Sequence, residues 1–199
     1  MKRDMKKILL VLLCVFSLSI LTALNTFALN WDIQDVYCQS YGSLGSPSIN
    51  LDSFANPHIS FIQGEHRSFG LMYASFDGSW SSERVSYAGY YSNSGDTSLA
   101  LDSFDNPHIT YHYAYNYYDL KYIKHNGFSW DAPMDVSGGF NSGGVSNSLV
   151  LDAFNRPHII YAGWDGYDRD LEYAFYDGNS GHFHTITPSR LKIDNLRGL

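Results

Sequence analysis

Leu51-Asp-Ser-Phe-Ala-Asn-Pro-His-Ile59 is answered fifty residues later by Leu101-Asp-Ser-Phe-Asp-Asn-Pro-His-Ile109. Fifty residues beyond that stands Leu151-Asp-Ala-Phe-Asn-Arg-Pro-His-Ile159. The three segments align without a gap and share Asp52/Asp102/Asp152, Pro57/Pro107/Pro157 and His58/His108/His158. A self-similar period of this length marks a repeat architecture, in which each unit is one supersecondary motif that buries its faces against its neighbours.

Read outward from that stretch, each unit resolves into four short strands. The first is Ser48–Asp52, Ser98–Asp102 or Ser148–Asp152, where apolar and polar residues alternate with period two. A turn closed by Asn-Pro or Arg-Pro follows, and proline is tolerated at the first residue of the next strand because its missing N–H costs the ladder little there. The second strand runs over His58–Ile62, His108–Tyr113 and His158–Ala162. The third runs over Leu71–Phe76, Leu120–His125 and Leu171–Tyr176, each with Leu-x-Tyr on one face. Asp77-Gly78, Asn126-Gly127 and Asp177-Gly178 then give the strongest short hairpin cue. The fourth strand starts at Trp80 or Trp130, with a weaker counterpart at His182–Thr187.

Four antiparallel strands repeated head to tail over this period predict an all-β protein of propeller-type blades. A solenoid uses shorter repeats and lacks the hairpin, and a sandwich does not repeat its sequence. The expected blades are about 47–96, 97–146 and 147–188, within a repeat domain spanning 29–188. An orphan outer strand is expected at Trp31–Val36, and a C-terminal tail at 189–199 fits no repeat position. Propeller rings hold about four to eight blades. Three leave blade faces and strand edges open, which invites association. The expectation is an incomplete or assembling propeller. Either a homo-oligomer completes it, or the chain is a truncated form of a longer protein.

The N-terminus differs from the repeats. Lys2, Arg3, Lys6 and Lys7 precede an almost unbroken apolar run, Ile8–Leu24, and then Thr26-Phe27-Ala28 offers the small residues of a cleavage site. This is the pattern of a secretory signal peptide over 1–28, although the apolar run approaches the length of a membrane anchor. The expected location is secreted or cell-envelope, with no membrane attachment after cleavage. Only Cys38 would then remain, so no internal disulfide framework is available. Without Met1–Ala28 the chain keeps 9 Lys/Arg and 19 Asp/Glu. That acidic balance argues against nucleic acid as a partner. The 16 Tyr, 12 Phe and 17 Gly suit strands and tight turns rather than disorder.

The pattern Ser-Leu-x-Leu-Asp-x-x-x-x-Pro-His-Ile-x-Tyr, then Leu-x-Tyr, Asp-Gly and Trp, resembles the repeats of secreted microbial propellers of the sialidase-like, BNR-type superfamily. It covers roughly Trp31–Thr187. The resemblance implies blade structure. It implies no activity, because the repeats depart from the family's Asp-box: Ser75-Phe-Asp-Gly-Ser-Trp80 is a shortened echo, and His125-Asn-Gly-Phe-Ser-Trp130 lacks the Asp. The arginines that a sialidase would need stand at non-equivalent repeat positions, so no catalytic residue is assigned.

The recurring Asp52, Asp102 and Asp152 with His58, His108 and His158 have the chemistry of metal ligands. A residue recurring in every unit is more economically explained by the geometry of the unit, so these residues and Pro57, Pro107 and Pro157 are expected to be structural. No metal and no cofactor are expected. Glu65, Glu83 and Glu172 are the only glutamates after the leader, which leaves little for the paired carboxylates of glycoside hydrolysis. Aromatic rings in variable loops are better candidates, since they stack on sugars and serve interfaces. Those that break the repeat are Tyr115, Tyr117, Tyr118, Trp164 and Tyr167. The expected function is a non-enzymatic binding module for a glycan or a surface protein. The alternatives are a glycoside hydrolase or lyase on a propeller scaffold, and a structural repeat remnant.

Overall fold

The computed structural model describes residues 32–38, 42–66, 68–90, 96–114, 118–137, 143–164, 169–178 and 183–186. Met1–Asp35 and Val36–Leu199 are two compact units. The expected leader, Trp31 and the tail lie outside the described residues. Asp32–Cys38 is in no strand, which corrects the expectation of an outer strand at Trp31–Val36 for its described part. Alternating polarity suits a strand, but a ladder needs a neighbour. Val36 and Tyr37 instead settle on Phe61, Met72 and Ala74.

The described residues form strands without any helix. In chain order the strands are β1 Ser43–Leu51, β2 Pro57–Glu65, β3 Ser68–Phe76 and β4 Trp80–Gly89; β5 Thr97–Leu101, β6 Pro107–Ala114, β7 Tyr118–Lys124 and β8 Met134–Asp135; and β9 Gly143–Leu151, β10 Pro157–Trp164, β11 Arg169–Phe175 and β12 His184–Ile186. Each group of four pairs in sequence order and antiparallel. They belong to two sheets: one of eight strands, in which the first two groups are joined by a parallel bridge between Gly89 and Ala114, and one of four strands. Neither sheet closes on itself among the described residues.

Several strands begin before the boundaries expected from periodicity, as β1 does at Ser43 rather than Ser48, whereas β7 and β11 end one residue short of the expected His125 and Tyr176. The fourth strand of the middle group is shorter than expected. Only Met134–Asp135 pairs, with an isolated bridge between His125 and Trp130. Pro133 lies between them and has no N–H to offer a ladder.

The three four-stranded units stack face to face, and two apolar layers lie between them. Ile62, Phe69 and Leu71 of the first unit meet Leu99, Ile109, Tyr111 and Ile123 of the second. Ala100, Leu120 and Tyr122, on the opposite face of the second, meet Leu149, Ile159, Tyr161 and Ala174 of the third. These faces follow from the pleat, since His108, Thr110 and His112 alternate with Ile109 and Tyr111 along β6. Burying one such side chain contributes about 1.5–3 kcal/mol, so the two layers dominate what holds the units together.

The fifty-residue repeat reappears as hydrogen bonds between units. The amide of Leu99 donates to Ser48 Oγ, and the amide of Leu149 donates to Ser98 Oγ, both at 3.0 Å. Asp96 takes Ser46 Oγ at 3.1 Å on one carboxylate oxygen and the amide of Ser146 at 2.6 Å on the other. Ser46 and Ser146 occupy equivalent repeat positions with φ of 48° and 54°, where β1 and β9 depart from regular register. One aspartate thus fastens the irregular stretches of the first and third units.

Candidate functional site

Each repeated turn is organised by its own aspartate. Asp52 Oδ1 accepts the amides of Phe54 and Asn56 at 2.9 and 2.7 Å, and Oδ2 accepts Asn56 Nδ2 at 3.0 Å. Asp102 does the same for Phe104 and Asn106. Asp152 does it for Phe154 and Arg156, whose guanidinium replaces the asparagine amide. Burial pushes the Asp52 and Asp102 carboxyls up, but these hydrogen bonds outweigh it and hold both below their usual value. At Asp152 the Arg156 hydrogen bond is the largest cause and holds the carboxyl well below the usual carboxylate range.

Behind each turn a histidine stands between that aspartate and a tyrosine of the third strand. His58 Nδ1 bonds the Tyr73 hydroxyl. His108 and His158 bond Tyr122 and Tyr173, each at 2.6 Å. The other ring nitrogen lies 3.5–3.7 Å from the aspartate in all three units. Burial is the largest cause holding His108 down to about 4, against the pull of Asp102. Burial likewise lifts the Tyr122 hydroxyl well above the usual phenol range. Tyr122 therefore donates to an unprotonated Nδ1, and the proton of the neutral ring sits on Nε2, towards Asp102. This chain of contacts ties the turn to β7, and its counterparts tie the other turns to β3 and β11. The proline preceding each histidine opens the second strand. No group of three or more His, Cys, Asp or Glu side chains among the described residues is arranged to hold a metal ion.

Of the aromatic candidates, Trp164 ends β10 and is exposed. The backbone of Tyr118 opens β7. Tyr115, Tyr117 and Tyr167 lie outside the described residues, as does the side chain of Tyr118.

A different place combines a cleft, a carboxylate and aromatic rings. A cleft of about 240 Å³ is lined by Tyr73, Ser75, Ser81, Ser82 and Glu83, on the outer strands of the first unit. Across the junction Trp130 of the second unit donates its indole N–H to Glu83 Oε1 at 2.8 Å. Its ring meets Tyr73 edge to face, with centroids 5.3 Å apart, and His125 at 5.4 Å. Ser75 and Ser81 place their hydroxyls 3.4 Å from each other. Burial, with smaller contributions from Glu83 and Asp52 and against a hydrogen bond from Ser75, pushes the Tyr73 hydroxyl up to about 12.

The equivalent place at the next junction is apolar. Phe183 stands against Tyr122 at 5.3 Å where Trp130 stands against Tyr73. Met134 pairs with Tyr122 where Glu83 pairs with Tyr73. The Glu83 cleft is thus a departure from the repeat. Glu83 was visible in the sequence as one of its three glutamates, and Trp130 as a strand marker. Their meeting across 47 residues was not visible. A second overlooked feature is the row of exposed rings Phe54, Phe104 and Phe154 at the tips of the repeated turns.

No protein-family model matches the chain. No curated protein matches it either. Among solved structures, it is similar to a protein of unknown function from Dyadobacter fermentans, with a TM-score of 0.55 and 10% identity over 75% of this chain and 56% of that one. It also matches a fucose lectin from Kordia zhangzhouensis in complex with methyl-fucoside, with a TM-score of 0.49 and 14% identity over 71% of this chain and 97% of that one. A third match is the polysaccharide lyase Uly1, with a TM-score of 0.47 and 11% identity over 70% of this chain and 40% of that one. The chain thus spans a little over half of the Dyadobacter protein and two fifths of the lyase. At this identity the likeness to the Dyadobacter protein speaks to the all-β fold.

Proposed function

We propose that this protein is an exported carbohydrate-binding module of propeller-type blades, with a sugar site in the cleft on its first unit, beside Trp130 of the second. The observation that carries this reading is the pairing of Trp130 with Glu83 beside Tyr73, Ser75, Ser81 and Ser82. Sugars are held by hydroxyl-directed hydrogen bonds combined with the face or edge of an aromatic ring, and this lining supplies both. Drug-sized ligands occupy pockets of about 300–1,000 Å³. A cleft below that range suits one sugar ring rather than a long chain.

Binding is favoured over cleavage by the same lining. Glycoside hydrolysis employs two carboxyl groups, about 5 to 9.5 Å apart. Among the described lining residues Glu83 is the one carboxylate, and its Oε1 already accepts the indole N–H. That contact orients the acid as a hydrogen-bond acceptor. The leader-like residues 1–28 and the acidic surface fit an exported protein that meets neutral glycans rather than phosphate backbones.

The test is a glycan array probed with the purified protein, followed by calorimetry with the methyl glycoside of any sugar bound. Binding that weakens in Glu83→Gln and Trp130→Ala supports the proposal. No glycan bound, or binding indifferent to both substitutions, overturns it.

A further inference from the structure

Leu71, Leu120 and Leu171 occupy one repeat position, on the face each unit turns towards the next. Leu71 and Leu120 are 0% exposed, covered by the second and third units, whereas Leu171 is 67% exposed. Val150, Ile160 and Trp164 are exposed beside it. The opposite face, which each unit turns towards the one before, shows the converse. Leu99 and Leu149 are 5% and 4% exposed, and Ile49, at the same position of the first unit, is 64% exposed with Leu51 exposed beside it. The chain therefore carries both halves of an apolar contact that it already makes twice internally.

We propose that a second copy of this chain packs the β1 face of its first unit onto the open face of the third unit, head to tail, repeating the internal junctions. The occupant is specified by matching parts. At each internal junction a serine hydroxyl on the first strand receives an amide of the next unit, Ser48 from Leu99 and Ser98 from Leu149. The third unit keeps that serine as Ser148, exposed, and Ile49 of a second copy holds the position of the donating leucines. Val150 stands where Ala100 meets the next unit, so it faces Ile49 of the partner. Val36 and Tyr37 already lie on Phe61, Met72 and Ala74, so on this face the partner meets them together with Ile49 and Leu51.

The polar clamp between turns changes on both sides at once. Internally, Ser53 binds Asp105 and Ser103 binds Asn155. At the proposed junction Ala153 replaces the serine and Ala55 the acid or amide. Replacing both partners of a hydrogen bond by apolar groups leaves no orphaned polar atom and is nearly neutral. Two such junctions between two copies give six units, within the range of about four to eight units in propeller rings. The inference uses the propeller part of the proposed function but not the sugar site, which lies wholly within one chain.

Light scattering on the purified protein at high micromolar concentration tests it, and a discrete dimer is expected. Leu171→Arg and Ile49→Arg each leave a monomer with unchanged circular dichroism, because both side chains are exposed in the single chain. The pair Ala55→Asp with Ala153→Ser has no partner within a monomer but rebuilds the clamp across the junction. It tightens the dimer about a hundredfold, as expected for one hydrogen bond worth on the order of 1.4 kcal/mol at each of the two junctions. A wild-type monomer overturns the proposal, as does a dimer that both arginine variants leave intact. The monomeric variants still bind sugar if the Glu83 cleft is the binding site, so the two proposals fail separately.

Discussion

Ser53 and Asp105, 52 residues apart, are joined twice: the Ser53 amide donates to Asp105 Oδ1 at 3.0 Å and its hydroxyl to Oδ2 at 2.6 Å. At the next junction Ser103 and Asn155 make the same pair of contacts, with the amide side chain now donating to the hydroxyl at 2.8 Å. Asp105 and Asn155 have φ of 63° and 60°, in the left-handed region that aspartate and asparagine tolerate best after glycine. One repeat position therefore serves both the local turn and the contact with the preceding unit.

Asp105→Ala consequently loses two hydrogen bonds and keeps a backbone conformation that alanine disfavours. The expected cost is about 1–2 kcal/mol. Asp105→Asn, which copies the third unit, costs under about 0.5 kcal/mol. Urea denaturation of the two variants checks this. Combining Ser53→Ala with Asp105→Ala should show coupling of about 1 kcal/mol, and strict additivity would mean that the clamp carries no energy.

Gly89 and Gly144 are close-approach points between units. A Cβ on Gly89, at φ +109°, would stand 2.0 Å from the carbonyl oxygen of Ala114, which also accepts the Tyr90 amide at 2.8 Å. A Cβ on Gly144, at φ +85°, would stand 2.7 Å from Leu120 Cβ and 2.9 Å from the Leu120 amide nitrogen. At Gly78, φ +77°, the same Cβ meets open space. Gly89→Ala and Gly144→Ala should each cost more than about 2 kcal/mol, and Gly78→Ala about 1 kcal/mol from backbone strain alone. Thermal unfolding of the three variants separates clash from strain.

The repeat made the four-stranded units, their turns and the alternation of their faces legible in the sequence. Each of those is local: a period of two, an Asp-Gly dipeptide, a proline before a histidine. The Glu83 site was not legible, because it is made by two side chains on different units and arises where the repeat breaks, with Glu83 in place of Met134. The short β8 could have been anticipated from Pro133. The failure of Asp32–Val36 to pair could not, because alternation describes a strand's faces and says nothing of its neighbour. The loop aromatics suggested by non-repetition, Tyr115, Tyr117 and Tyr167, lie outside the described residues.

His108 sets a pH dependence. Its folded value is about 4, against about 6.5 for an unperturbed imidazole, so the unfolded chain binds the extra proton between those values. Its contribution to stability is whole above about pH 6.5 and is lost as pH falls towards 4. Asp102, held below its usual value, adds a loss in the same direction further into acid. His108→Gln should flatten the decline between pH 6.5 and 4, measured as the urea midpoint at each pH. An equally steep decline in the variant would place the titration elsewhere.

The proposed sugar site is tested most finely by substitutions that divide its two functions. Trp130→Phe keeps a ring against Tyr73 but loses the N–H that fixes Glu83, so affinity for the bound glycoside should fall only a few-fold, on the order of one neutral hydrogen bond. Trp130→Ala removes the ring as well and should cost about tenfold or more, in line with the worth of an aromatic contact plus that bond. Glu83→Gln keeps the shape and removes the charge, and the loss of a charge-assisted acceptor predicts roughly a ten- to hundredfold weaker Kd. Met134→Glu with Phe183→Trp transplants the pair to the second junction, and calorimetry should then show two sites where the native chain shows one. A stoichiometry unchanged by the transplant, with wild-type affinity in Glu83→Gln, would mean that the glycan is held elsewhere on the chain.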